Sequence, residues 1–405
     1  MGMDGEIDYR AYTREQLEDA LRRIDPARYP RNHRNLLDEL ERRRAAEASA
    51  AAAAAAAETS TGLKLYRPEF RARPEEYFRI WIVNLALTIA TLGIYSAWAK
   101  VRKLRYFYSS TVLAGSAFGY HADPVKILRG RIIAAALAGA YFAATRTSLR
   151  ATFAMLAVIL VATPWLVVKS RMFTLRVTSW RGLRFDFAPD YAGAYRILLG
   201  WLFLGFVTLG VLMPRAARER YRFILTRSRY GATPFECNPG IWPFYRTMFG
   251  AIGLSIVLFI PLMVATMIVG GLGSAHVISP TVLKYVMMAL FIAWYVVFFA
   301  VIQGYPHARN LNEVLSHTSL GPHRLSCEMS AGELIFIYLR NIVCILFTLG
   351  FYTPWAQISL ARYRLEAVEL EVHGSLDEFV AAAVAPVPAA AGEEISSFFD
   401  VDFGF

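Results

Sequence analysis

Thr91-Leu92-Gly93-Ile94-Tyr95-Ser96-Ala97-Trp98-Ala99-Lys100, running on into Val101-Arg102-Lys103-Leu104-Arg105-Tyr106, is a pattern that this chain contains three times. It returns as Thr208-Leu209-Gly210, with Pro214, Ala216, Arg222 and Phe223 behind it. The third copy reads Thr348-Leu349-Gly350-Phe351-Tyr352-Thr353-Pro354-Trp355-Ala356, followed by Arg362 and Tyr363. Counting from each glycine, a small residue or proline stands four on, alanine six on, arginine twelve on and an aromatic thirteen on. Repetition of this kind fixes the architecture before any single motif is weighed, and it predicts three copies of one unit.

Composition sets the solvent in which those units live. Of 405 residues, 56% are hydrophobic and only 19% are charged, and apolar runs recur at Ile132–Ala144, Thr152–Val168, Tyr195–Met213, Met248–Leu272 and Val282–Ile302. A hydrocarbon core of about 30 Å needs about 20 such residues per helix, so the chain reads as a mainly α, polytopic helical membrane protein. The net charge of +11 sits in the loops between apolar runs. That is the positive-inside pattern and not a nucleic-acid surface, so the partners expected are membrane lipids and no nucleic acid. The first residues lack a basic region followed by an apolar core, so no cleavable signal peptide is expected. Cys237, Cys327 and Cys344 have no metal-ligand spacing and read as reduced and structural.

In chain order, residues 1–44 form a soluble helical hairpin, with Leu17, Leu21 and Ile24 on one apolar face and Leu36, Leu37 and Leu40 on another. Two helices of this size bury little, so docking on a protein partner or self-association through residues 12–44 is expected. Residues 45–64 are an alanine-rich linker. Membrane repeat one spans 65–180 and repeat two 181–304, each with two spanning helices; repeat three is 305–380, and 381–405 is a flexible acidic, aromatic tail. Each repeat is a Thr-Leu-Gly helix, a basic helix and a short β-hairpin. Alternating residues around Gly115, Gly182, Gly231 and Gly321 carry the hairpin signal. Helix starts are marked by Pro74-Glu75-Glu76, by Asp190 as an N-cap and by Ser330-Ala331-Gly332-Glu333 in capping-box form. Two readings stay open for the tail: docking of its aromatics within the molecule, or a disordered end.

If the Thr-Leu-Gly helices cross the membrane, successive units are inverted, as in many secondary transporters. Inversion would place one of the matching basic segments outside, so the loop charge favours parallel units, re-entrant or interfacial helices bent at Gly93, Gly210 and Gly350, and cytoplasmic hairpins and N-terminus. Asn84 and Asn341 lie nine before their glycines, where the second copy has Trp201, and Arg79 matches Arg196 fourteen before. Polar groups at such depth are costly and are binding candidates, together with Arg105, Arg222 and Arg362; the competing reading is that the asparagines join helices and the arginines snorkel.

With Thr91–Arg105, Thr348–Trp355 and the hairpin Arg181-Gly182-Leu183-Arg184-Phe185 in view, the chain resembles the YjgN-like family of bacterial inner-membrane proteins over about Phe70 to Phe379. The final Phe398-Phe399-Asp400-Val401-Asp402-Phe403-Gly404-Phe405 is similar to an acidic, aromatic ending in that group. The second copy departs from the family's form, with Leu212 and Arg215 where the others have Tyr and Trp. The resemblance implies a multi-pass inner-membrane location and supplies no reaction.

No His-Glu-x-x-His, phosphate loop, nucleophile elbow or Cys-x-x-Cys occurs, and His121, His307, His317, His323 and His373 are scattered. No enzyme, metal or cofactor is therefore expected. The function expected is transport or handling of a small or lipid-like solute, and the alternative is a scaffold that binds partners through its N-terminal helices and C-terminal tail.

Overall fold

The computed structural model describes Tyr9, Tyr12 and residues 14–26, 28–61 and 63–384. They fall into two units, Met1–Lys64 and Leu65–Phe405. In the first, α1 (Arg14–Arg23) packs on α2 (Pro30–Thr61) through Leu17, Leu36 and Leu40, with Tyr9 alongside. α2 runs on through the alanine segment, since alanine has the lowest helical cost. The docking expected of the acidic tail falls on residues 385–405, outside the described residues.

β1 (Leu63–Tyr66) straddles the boundary and is followed by β2 (Glu69–Phe70), after which a helix pair is inserted before the next strand five times over. α3 (Pro74–Ala90) and α4 (Ser96–Ser109) precede β3 (Thr111–Leu113); after β4 (Ser116–Tyr120) come α5 (Pro124–Thr147) and α6 (Leu149–Arg176). β5 (Thr178–Trp180) and β6 (Leu183–Phe187) lead to α7 (Tyr191–Tyr195), a π-helical turn (Arg196–Gly200), α8 (Trp201–Val207) and α9 (Met213–Arg227). β7 (Ser228–Tyr230) and β8 (Thr233–Cys237) are followed by α10 (Trp242–Ser274) and α11 (Pro280–Ser316). β9 (Thr318–Leu320), β10 (His323–Cys327), α12 (Ala331–Phe347), α13 (Thr353–Glu366), β11 (Val368–His373) and α14 (Leu376–Ala383) complete the chain.

The strands make one sheet in the order β1-β11-β10-β9-β8-β7-β6-β5-β4-β3-β2. Its two ends, β1 and β2, are neighbours in sequence, separated only by Arg67 and Pro68. They act as one stave broken at the proline, whose missing N–H cannot serve a ladder. One half joins the last strand and the other joins β3, so the sheet closes on itself. Arg67, at the break, pairs with Glu369 of β11, and Trp81 and Phe78 of α3 meet Phe351 and Trp355 across the same seam at 6.2 and 5.2 Å. Closure removes the open edges that a short meander would otherwise present.

Side chains from around the ring converge on one core: Tyr66, Leu113, Phe118, Trp180, Phe185, Tyr230, Leu320, Leu325, Leu370 and Val372. About eight strands enclose only enough room for their own side chains. With β1 and β2 counted as one stave of the eleven strands, ten remain, and α14 occupies the extra space. Leu376, Phe379, Val380 and Ala383 of this helix belong to the same core. Phe379 packs edge-on to His323 at 4.4 Å and stacks near Tyr230 at 6.3 Å. Arg181 pairs with Asp377 at one end of α14, and at the other the Ala232 amide donates to the Ala383 carbonyl.

The glycines that signalled hairpins sit in the two-residue turns between β3 and β4, β5 and β6, β7 and β8, and β9 and β10. Ala114-Gly115 and Arg181-Gly182 both have positive φ, as type I′ turns require. The flanking helices reach further than the alternation implied, since Tyr106–Ser109 is still helical. Each helix-to-strand junction at Thr111, Thr178, Ser228 and Thr318 carries a buried hydroxyl that donates to the carbonyl four residues back, at 2.7–2.9 Å. Those bonds satisfy carbonyls that a helix end leaves unpaired.

α5, α6, α10 and α11 are long and apolar enough to cross a membrane. Because each such pair leaves and re-enters paired strands, the sheet lies on one side of them. The other three pairs are shorter: α3 and α12 have 17 residues each, about 26 Å at 1.5 Å per residue. The apolar run Tyr195–Met213 is not one crossing helix, because it breaks at Thr208–Gly210 and turns back.

The three Thr-Leu-Gly stretches are turns between two helices. Leu92, Leu209 and Leu349 have φ of 50, 50 and 49°, and the glycines after them 93, 89 and 94°. In each turn the glycine amide bonds the carbonyl five residues back, at 2.7–2.8 Å. The threonine hydroxyl donates to the carbonyl four back at 2.7 Å and accepts from the amide four on at 2.9–3.3 Å. Threonine thereby supplies a donor and an acceptor to the backbone groups that the two helix ends leave unpaired. Nothing lies within 4 Å of a Cβ built on Gly93, Gly210 or Gly350, so these positions demand glycine's positive φ and not its small size. The leucines at the tips are 95, 94 and 90% exposed, which makes each tip an apolar point.

Candidate functional site

The two asparagines hold equivalent places and do different things. Asn341 on α12 is buried; its Nδ2 donates to the Ala356 carbonyl and to Ser359 Oγ, both at 3.2 Å, and its Oδ1 accepts from Arg340 and Ser359. Asn84 on α3 is also buried, and its Nδ2 reaches the equivalent Ala99 carbonyl at 3.4 Å. Its Oδ1, however, has no partner among the described residues. The second pair replaces this clamp: Trp201 stands at the asparagine position, and the Arg215 guanidinium lies 5.4 Å from its ring. Where Tyr and Trp are present, they stack instead, Tyr95 on Trp98 at 6.2 Å and Tyr352 on Trp355 at 6.0 Å.

Asn84 lines a cleft of about 350 Å³ between the first short pair, α5 and α13. Lys100 and Lys103 enter from α4 and Arg131 from α5, while Trp81 and Leu104 supply apolar wall. The Arg131 guanidinium donates to the Ser96 hydroxyl, tying α5 to the start of α4. Across the cleft the Tyr77 hydroxyl donates to Gln357 Oε1 at 2.7 Å. The lining thus combines three cations, a buried unpartnered acceptor and an apolar wall. An amphiphile whose head carries anionic oxygens for the cations and an O–H or N–H to donate to Asn84 Oδ1 fits that chemistry, because a buried acceptor is costly until a donor meets it.

The other candidate residues do not join this site. Arg79, Arg105, Arg196 and Arg222 are exposed at separate places around the helices. Arg362 donates to the Ala72 carbonyl at 3.0 Å and lies 3.9 Å from Glu366, closing the seam between α13 and β2. Sequence reasoning missed Arg131, Tyr77 and Gln357. Arg131, immediately before the apolar run at Ile132, was the legible signal, being a cation at the edge of the apolar run of a helix long enough to cross a membrane.

Among the described residues, no three His, Cys, Asp or Glu side chains are grouped to hold a metal ion. His121 bonds Ser179 Oγ at 2.8 Å, and His317 lies 3.3 Å from Glu313. Cys237 and Cys327 are buried at strand ends, where desolvation raises both thiols, Cys327 to about 11. Thiols held neutral in this way pack as small apolar side chains.

A family described as bacterial protein of unknown function (DUF898) matches residues 66–398, most of the chain. The chain belongs to the DUF898 family. Among curated proteins it is similar to the inner membrane protein YjgN of Escherichia coli O157:H7, 30% identical over 132 residues, which are 31% of this chain and 32% of that protein. It is also similar to the inner membrane protein YjgN of Salmonella typhimurium, 26% identical over 149 residues, 36% of this chain and 37% of that one. The matched stretches span about a third of these relatives' length. No solved structure matches. The family's description assigns no activity, so a functional reading rests on the geometry above.

Proposed function

We propose that this chain is a multi-pass inner-membrane protein that takes an anionic-headed, lipid-like solute from the bilayer into the cleft beside α3 and α4, with the strand ring on the cytoplasmic side. The observation that carries the reading is the pairing of Lys100, Lys103 and Arg131, which suit anionic oxygens, with Asn84 Oδ1, a buried acceptor without a partner among the described residues that calls for an O–H or N–H on the same head. Two features support it. The short pairs end in exposed leucines and reach only part of the way through a hydrocarbon core, which favours thinning or disordering of the lipid beside them. The inner location is supported by the names of the relatives; as to side, basic residues crowd the sheet side and the turn from Ala275 to Ser279 has no Lys or Arg, although Arg146 and Arg150 flank the other far turn.

The test is native mass spectrometry of the full chain purified in mild detergent. The expected result is that Asn84→Leu and Lys100→Gln/Lys103→Gln each lower the number of retained anionic lipids by about one per chain. Equal retention by these variants would overturn it. Orientation is read separately by impermeant thiol labelling of intact cells in a cysteine-free background: Ser274→Cys labels and Ser109→Cys does not. Labelling of Ser109→Cys from outside would place the ring on the opposite side.

A further inference from the structure

A second cleft, independent of the first, lies where α10 and α11 outgrow the membrane. These helices have 33 and 37 residues, about 50 and 55 Å against a hydrocarbon core of about 30 Å. Their apolar stretches are Met248–Leu272 and Val282–Ile302, so the surplus lies at the sheet end, at headgroup level. There a cleft of about 330 Å³ is lined by Trp242, Arg246, Thr247, Tyr305, Arg309 and Glu313.

Its charges do not cancel. Glu313 is already committed, since Oε1 accepts from the Gly240 amide at 2.8 Å and lies 3.3 Å from His317 Nδ1. Neither Arg246 nor Arg309 has a carboxylate partner among the described residues. Arg309 instead lies 5.9 Å from the Tyr305 ring, a geometry that leaves its guanidinium edge open to an oxygen ligand. The N-terminus of α10 opens on the same place with no side-chain cap, adding its positive dipole end. Trp242, 69% exposed, stands where interfacial tryptophans sit.

We infer that Arg246 and Arg309 form a binding site for a phosphate-bearing headgroup, holding an anionic phospholipid in the groove between α10 and α11. Two guanidiniums and a helix N-terminus suit a phosphodiester, and Trp242 and Tyr305 suit the glycerol and upper acyl region of the same molecule. This does not depend on the reading of the first cleft.

The experiment uses the full chain in nanodiscs of phosphatidylcholine with a minor fraction of phosphatidylglycerol, and counts retained phosphatidylglycerol by native mass spectrometry. Arg246→Gln/Arg309→Gln is expected to weaken retention roughly thirtyfold, whereas Arg246→Lys/Arg309→Lys keeps most of it. Lys100→Gln/Lys103→Gln leaves this retained lipid in place, which separates the two sites. Added inorganic phosphate is expected not to displace the lipid; displacement at millimolar phosphate would reassign the site to a free anion. Undiminished retention in a folded Arg246→Gln/Arg309→Gln protein, or equal loss in Arg146→Gln/Arg150→Gln at the far turn, would overturn the inference.

Discussion

Asn341 Nδ2 donates to the carbonyl oxygen of Ala356 at 3.2 Å, and with Ser359 this bond locks α12 to α13. Asn84 makes the matching bond at a longer 3.4 Å, and its Oδ1 has no partner among the described residues. Asn341→Leu is therefore expected to lower stability by about 1–3 kcal/mol, because it strands Ser359 and a carbonyl. Asn84→Leu is expected to cost less stability and more lipid retention. Melting in detergent alongside native mass spectrometry compares them. Equal melting losses with equal retention would make both simple packing residues.

The threonines of the three turns predict a second series. Thr91→Val, Thr208→Val and Thr348→Val keep shape but lose one donated and one accepted bond each. Each is expected to cost about 1 kcal/mol, and the triple variant close to the sum, since the turns share no partners. Hydrogen exchange should rise at the amides of Tyr95, Leu212 and Tyr352 and nowhere else. Unchanged exchange there would remove the threonine from the account of the turn.

The helix inside the ring gives a third. Phe379 is wedged between His323 and Tyr230, so Phe379→Ala opens a cavity worth about 3–4 kcal/mol. A Cβ at Gly231 would collide with the Ala383 carbonyl oxygen, so Gly231→Ala should expel the same helix by a different route. Limited proteolysis after His373 and the fluorescence of Trp180 report both. If the two variants leave them unaltered, α14 is not what fills the ring.

Acid should release the helix as well. His323 is 1% exposed, its Nδ1 accepts from the His373 amide at 3.3 Å, and burial, then His373, hold its pKa below the ordinary value. The folded state thus favours neutral His323, while the unfolded chain takes up a proton near pH 6.5. The stabilisation is complete above that pH and is lost as the pH falls through and below it. Proteolysis of the α14 segment is expected to rise below about pH 6.5. His323→Gln should flatten that rise; a rise of the same size in the variant would place the acid sensitivity elsewhere.

Membrane class, the apolar runs of the four helices long enough to cross a membrane, the strand turns and the helix caps at Asp190 and Ser330 could be read from residues alone. Each is a local matter: apolar length, alternation around glycine, and a side-chain oxygen next to an orphan amide act within a few residues. At Gly93, Gly210 and Gly350 a bend was legible, but not that each helix ends there and a second helix begins behind a turn of positive φ. What chain order could not reveal is that β1 and β2 are one stave joining strands at opposite ends of the sequence. Nor could it show that the long pairs α5–α6 and α10–α11 are inserted between strands in the same way as the short ones. The role of α14 was equally hidden, since an eight-residue amphipathic helix carries no mark of what will cover it. Asn84 and Asn341 had the same offset and the same residue type, and only the neighbours brought by folding made one a clamp and left the other facing a cationic cleft. Periodicity records which face of an element is apolar, whereas partners distant in sequence are chosen by closure of the ring and by the space it must fill.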